Sequence, residues 1–161
     1  YYTWNRSLRN EFGKKVYKVA LDAGFDCPNR DGTVAFGGCT FCSAAGSGDF
    51  AGNKVDPIPV QFEKIKTKME SKWKDGLTMA YFQAYTNTHA PLEVLKEKFE
   101  AALACEGVMG LSIATRPDCL PDDVVEYLAE LNERTYLWVE LGLQTVHEKA
   151  LTKPSRQPMI F

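Results

Sequence analysis

From Lys14 onward, strand-like runs alternate with stretches of helical periodicity, and this alternation restricts the fold more than any other feature. Residues 15–21, Lys-Val-Tyr-Lys-Val-Ala-Leu, are rich in strand formers. Asp56-Pro57 reads as an N-cap followed by proline at the first helical position. Ile58, Phe62, Ile65, Met69 and Trp73 then recur at helical spacing as one apolar stripe, which Asp75-Gly76 ends. Leu77 to Tyr85 is a nearly continuous apolar run, as expected of a buried parallel strand. Pro91 opens a second helix with Leu92, Leu95, Phe99 and Leu103 on one face, and Val108 to Thr115 reads as a third strand. Pro121-Asp122-Asp123 opens a third helix, with Val124, Leu128 and Leu131 inward and acids where the helix dipole favours them. Tyr136 to Leu143 is a fourth strand, and Val146 to Leu151 begins a fourth helix. Strands alternating with helices imply parallel βαβ units, hence an α/β fold. The pattern leaves both an open doubly wound sheet and a partial barrel open, since four strands cannot close a barrel of this kind. The tail carries Pro154 and Pro158 and breaks the repeat. The expectation is one domain over residues 1–161, about four βα units of a larger fold, with a C-terminal part missing.

Between the first strand and the first of these helices runs a loop from Asp22 to about Asp56, rich in glycine. Loops of this length inside a compact domain are uncommon unless functional. This one holds Cys27, Cys39 and Cys42; residues 28–38 separate the first two and residues 40–41 the last two. A two-residue gap lets neighbouring thiolates converge on one centre. Gly37-Gly38 removes side chains just before Cys39, so the backbone can wrap closely. Three thiolates fit a four-iron cluster with one iron left open. They also fit a structural zinc completed by a distant ligand, or plain buried cysteines; His89 and His147 lie far along the chain without finger-like spacing. The remaining thiols have blander readings. Cys105 closes an apolar helix as a small core residue, and Cys119 follows Arg116-Pro117-Asp118.

Polar residues gather at the carboxyl ends of the expected strands: Gln83, Tyr85 and Asn87 on the second, Ser112 and Arg116 on the third, Glu140, Gly142 and Gln144 on the fourth. In a sheet covered on both faces such residues are costly unless paired or used, and carboxyl strand ends are where α/β folds bind ligands. The alternative is that they serve as hydrogen-bonded loop starts and helix caps. Elsewhere, Lys64, Lys66 and Lys68 read as a solvated helix face, and so does His147. Tyr2, Trp4, Asn5 and Arg6 read as packing residues or part of a substrate surface.

The segment from Asp22 to Gly32, containing Cys27-Pro28-Asn29-Arg30-Asp31, followed by Gly37-Gly38-Cys39-Thr40-Phe41-Cys42-Ser43, resembles a bacterial radical S-adenosylmethionine (SAM) family. That family has a long gap between its first two cysteines and is related to the catalytic subunit of Elongator. Residues 81–88 (Tyr-Phe-Gln-Ala-Tyr-Thr-Asn-Thr), 114–118 (Ala-Thr-Arg-Pro-Asp) and 139–144 (Val-Glu-Leu-Gly-Leu-Gln) extend the resemblance over about residues 4 to 152. It implies a partial (β/α) barrel with outer helices. It also implies a [4Fe-4S] cluster on Cys27, Cys39 and Cys42, with SAM chelating the open iron and reductive cleavage giving a 5′-deoxyadenosyl radical. By the same resemblance, SAM is expected along the strand ends at Gln83, Asn87, Thr115, Arg116, Glu140 and Gln144. Gln83-Ala84-Tyr85 stands where the superfamily often has Gly-Gly-Glu. Arg116 suits a carboxylate, and Glu140 suits ribose hydroxyls with Gln144 beside it. Expected partners are a tRNA wobble uridine and an electron donor such as flavodoxin or ferredoxin.

Composition bears on the rivals and the compartment. The net charge of −2 lends no global field toward nucleic acid, although a local basic patch is compatible with it. No apolar run approaches the roughly 20 residues that span a bilayer. No export signal is visible at Tyr1-Tyr2-Thr3, and no initiator Met is present, so the expected setting for clustered thiols is a reducing cytoplasm. An iron–sulfur electron-transfer protein would need Cys105 or Cys119 as fourth ligand. A zinc-stabilised RNA-binding module would need no SAM rim.

Overall fold

The computed structural model describes residues 1–39 and 41–143. Gln144 and the helix expected from Val146 therefore lie outside the described residues. Helix α1 (Trp4–Phe12) precedes strand β1 (Val16–Leu21); α2 (Ile58–Glu70), β2 (Leu77–Phe82), α3 (Leu92–Leu103), β3 (Val108–Thr115), α4 (Asp122–Arg134) and β4 (Tyr136–Leu141) follow. A short 3₁₀ turn, Pro117–Cys119, lies between β3 and α4.

All pairings are parallel and the strands lie in chain order, β1-β2-β3-β4. Each crossover thus steps the same way across the sheet. Right-handed crossovers that never reverse direction place their helices on one face, whereas a doubly wound sheet must reverse. The packing agrees: Tyr17, Val19, Leu21, Ala80, Phe82, Leu111 and Ile113 alternate toward one core that also contains Phe62, Leu95, Phe99 and Leu131 from the three helices. Phe99 sits at its centre, with ring centroids 4.8 Å from Phe82 and 6.4 Å from Tyr127.

The opposite face is divided. Its amino-terminal half is covered by α1, which buries Leu8 against Val16 and Met79. This helix adds to the expected pattern, and its end signals lie in the sequence. Thr3 Oγ1 accepts the Arg6 N–H at 3.2 Å, and Gly13 ends the helix at φ 68°. The carboxyl half of this face carries Lys18, Tyr81, Ser112 and Glu140. Lys18 on β1 pairs with Glu140 on β4, the opposite edge of the sheet. Three strand spacings of about 4.8 Å separate those edges in a flat sheet. Contact across them requires the sheet to curl around this face.

Several element ends differ from expectation, among them β4, which stops at Leu141 rather than Leu143. β2 stops at Phe82 rather than Tyr85, because its partner β1 ends at Leu21, opposite Phe82. The backbone then leaves the ladder: Tyr85 N–H donates to Gly46 O, Thr86 N–H to Asp26 O and Asn87 N–H to Ala114 O. Asp56 does not cap α2 but takes Lys64 at 2.8 Å, and the helix begins behind Pro57 with no side-chain cap. Buried Gln61 on α2 closes the cysteine loop instead. Its amide donates to Asp22 O (2.8 Å) and Asp56 O (2.9 Å) and accepts from Asp22 N–H (3.0 Å). One side chain thereby ties both ends of the loop, leaving a Cβ at Gly52 no room.

Candidate metal centre

The loop after β1 carries the three cysteines to the carboxyl end of the sheet. A turn at Cys27 is made by Arg30 N–H and Asp31 N–H donating to Cys27 O, at 2.8 and 3.2 Å. Asp26 accepts the Cys27 N–H at 2.8 Å. Gly37 and Gly38 take positive φ, 83° and 79°, and Gly38 N–H donates to Asn29 O, which folds the long gap back on itself. Cys42 N–H closes on Cys39 O at 3.1 Å. All three thiols line one cavity of about 390 Å³, whose other walls include Gln83, Thr115, Arg116 and Glu140. Among the described residues, no three His, Cys, Asp or Glu side chains are grouped to hold a single metal ion.

Two buried side chains aim donors at the sulfurs. Asn29 Nδ2 donates to Cys39 Sγ at 3.2 Å, while its Oδ1 has no partner among the described residues. Arg116 Nη1 points at Cys27 Sγ at 3.9 Å. Burial pushes the Cys42 thiol up, with the nearby Cys39 and Cys27 adding to it; a Ser47 hydrogen bond and the Arg30 charge oppose them. Asn29 went unread in the sequence. Its only signal was the Cys27-Pro28-Asn29 turn, which does not say where the amide points.

The other two cysteines and His89 do not line this cavity. Cys105 donates its S–H to Ala101 O within the helical layer. Cys119 is buried beside the groove that also takes His89, and burial, then the Asp118 carboxylate, pushes its thiol up to about 12. His89 meets Asp31 at 2.6 Å.

The expected SAM contacts separate into distinct groups. Gln83 lies in the cavity wall. Thr115 lies there too, but its hydroxyl is 2.5 Å from Thr88 Oγ1. Thr88 donates to Cys119 O, so the Thr115 proton is committed to Thr88. Asn87 is fully buried and is not among the residues of the cavity wall, with its amide donating to Phe82 O (3.0 Å) and Ala114 O (2.9 Å). Its side chain thereby links the end of β2 to the end of β3. Arg116 lines the cavity as expected of a wall residue. Its fork is taken by Asp118, Nε to Oδ1 at 2.8 Å and Nη2 to Oδ2 at 2.5 Å, so it is not a free fork for a ligand carboxylate.

Glu140 lines the cavity, yet both carboxylate oxygens are engaged. Lys18 and Ser112 meet Oε1, and Tyr81 donates to Oε2 at 3.0 Å. Burial alone would raise this carboxyl; the Lys18 hydrogen bond and charge, with Tyr81 and Ser112, hold it below its usual value. A depressed carboxylate contributes stability above its unfolded pKa of about 4.3, and that stability is lost as pH falls through the folded value. Glu140→Gln is therefore expected to lower the urea midpoint at neutral pH and to flatten its fall as the pH drops below about 4.3. An acid limb as steep as in the parent chain would remove Glu140 as its source.

No family model matches the chain. It is 75% identical over 149 residues to the uncharacterized protein YtqA of Bacillus subtilis, covering 92% of this chain and 46% of that protein. It is 41% identical over 150 residues to protein YhcC of Escherichia coli, covering 92% and 47%. It is 39% identical over 147 residues to the uncharacterized protein MJ0486 of Methanocaldococcus jannaschii, covering 89% and 44%. The chain thus spans about half the length of the curated relatives it matches. No solved structure matches it.

Proposed function

We propose that this chain carries the cluster-binding part of a radical SAM enzyme, built on a partial (β/α) barrel. The observation that carries the reading is that three thiols, and no other cysteine among the described residues, line one cavity at the carboxyl ends of parallel strands. The residues present fit a [4Fe-4S] cluster in chemistry as well as number. Soft thiolates suit iron, and the Asn29 and Arg116 donors face two of the sulfurs, as hydrogen bonds that tune such a cluster do. A zinc ion would need its thiolates about 2.3 Å from one point, whereas a cluster accepts thiolates spread around a wider wall. An electron-transfer cluster would take a fourth cysteine, and neither Cys105 nor Cys119 lines the cavity.

A [4Fe-4S] cluster held by Cys27, Cys39 and Cys42 would supply the electron for reductive cleavage of SAM, the source of the hydrogen-abstracting chemistry that the resemblance implies. The chain's own residues have three tasks. Cys27, Cys39 and Cys42 hold the metal. Asn29 and Arg116 face its sulfurs. Gln83, Thr115 and Glu140, the last tied to Lys18, line the space that SAM would occupy. In this reading a wobble uridine of tRNA is the substrate class, resting on kinship with Elongator, and a flavodoxin or ferredoxin supplies the electron. The setting is cytoplasmic, and no helix among the described residues is long and apolar enough to cross a membrane.

The test is anaerobic reconstitution with iron and sulfide, then addition of dithionite and SAM, on this chain and on the full-length Bacillus subtilis relative. Cluster absorption and 5′-deoxyadenosine are expected. Tightly held zinc with no cluster absorption would favour the RNA-binding rival. An intact cluster in the full-length relative without 5′-deoxyadenosine would remove the enzyme reading.

A further inference from the structure

We infer that Arg30, not Arg116, is the residue that recognises an anionic group of the ligand in this cavity, in the form of a carboxylate. The inference rests on the SAM reading, because the methionyl end of SAM supplies that carboxylate. Apart from the thiols, the cavity wall carries three charged side chains: Arg30, Arg116 and Glu140. Glu140 is neutralised by Lys18, and Arg116 by Asp118. Arg30 is the wall's one permanent charge with no ion-pair partner of carboxylate type among the described residues.

Its position is built rather than solvated. The stem lies on Gly38, where a Cβ would come within 3.2 Å of Arg30 Cγ. The guanidinium lies 5.2 Å from the centroid of the Tyr85 ring, and Nη1 donates to Ser43 O at 3.2 Å. Tyr85 is itself held in place. It is a non-glycine residue at φ 61°, a conformation that persists only when its surroundings impose it. The surroundings do so here: Tyr85 N–H donates to Gly46 O and its hydroxyl to Ala44 O, both at 2.8 Å. A Cβ on Gly46 would stand 2.3 Å from the ring. The strained tyrosine fixes the plane beneath the guanidinium, and the remaining N–H donors form the planar fork that matches a carboxylate. An immobilised fork binds with less lost entropy than a free one.

The test uses the anaerobically reconstituted chain, with loading fixed by iron and sulfide analysis. Equilibrium dialysis compares SAM with decarboxylated SAM. Arg30→Gln is expected to weaken SAM binding by about ten- to a hundredfold, the scale of a charged hydrogen-bonded pair. Binding of decarboxylated SAM should be unchanged. Arg30→Lys, which keeps the charge but loses the fork, should fall between. Equal weakening of both ligands, or of neither, overturns the inference. If both variants fail to load iron while the parent loads it, Arg30 serves assembly of the metal centre and the inference also fails. A parent chain with full iron that binds no SAM sinks the proposed function before any variant is compared. Unaltered SAM binding by a loaded Arg30→Gln sinks the present inference alone.

Discussion

Cys39→Ala, reconstituted anaerobically, is expected to lose the cluster absorption and to bring 5′-deoxyadenosine to background, while Cys105→Ala retains both. The contrast follows from placement. Cys39 lines the cavity with Cys27 and Cys42 and takes the Asn29 amide on its sulfur, whereas Cys105 bonds to a carbonyl of its own helix. With three thiolates available, loss of one leaves two, too few to hold a cluster with a single open corner. Partners that merely orient a metal ligand already cost 10–100-fold in affinity or activity when mutated, so loss of a ligand itself should exceed about a hundredfold. Iron content and visible absorption report the first half of the expectation, and product analysis the second. A Cys39→Ala protein that keeps a full complement of iron and sulfide would refute the ligand assignment whatever its activity.

The second large effect falls on Asp118. Its carboxylate and the Arg116 guanidinium are nearly buried, at 8% and 11% side-chain exposure, and joined by two hydrogen bonds. Removing one member of such a pair leaves a charge without compensation in a poorly solvated place, which costs about 3–5 kcal/mol. Asp118→Ala should lose that much stability in urea unfolding, a large share of the roughly 5–15 kcal/mol typical of a domain. Asp118→Ala/Arg116→Met should recover part of the loss, because both charges then leave together. A loss below about 1 kcal/mol would show a pair screened like an exposed one. The pair also bears on the cavity, since the third nitrogen of Arg116 faces Cys27. Freed from Asp118, the guanidinium would compete for whatever anion Arg30 holds.

Much of the scaffold was legible in local pattern. Val108–Thr115 was read residue for residue as β3, and the inward stripes of α3 and α4 hold Leu95, Phe99, Val124, Leu128 and Leu131 in the core. Apolar periodicity and proline starts are short-range signals, and burial follows them directly. The reading failed where geometry changed without a change in composition. Gln83, Tyr85 and Asn87 look like one face of a strand, yet the backbone turns at Tyr85, and Asn87 points into the protein.

From its order of residues alone, the chain determined parallel βαβ units, the cysteine-bearing loop and the set of polar groups near the strand ends. Those depend on neighbours a few positions apart. Only the tertiary structure decided which charges cancel. Lys18 reaches Glu140 from 122 positions away, and Asp118 claims Arg116, so Arg30 is the cation left exposed to a ligand. Compensation of a buried charge depends on distance in space, and a curled sheet sets those distances without leaving a mark in the local sequence.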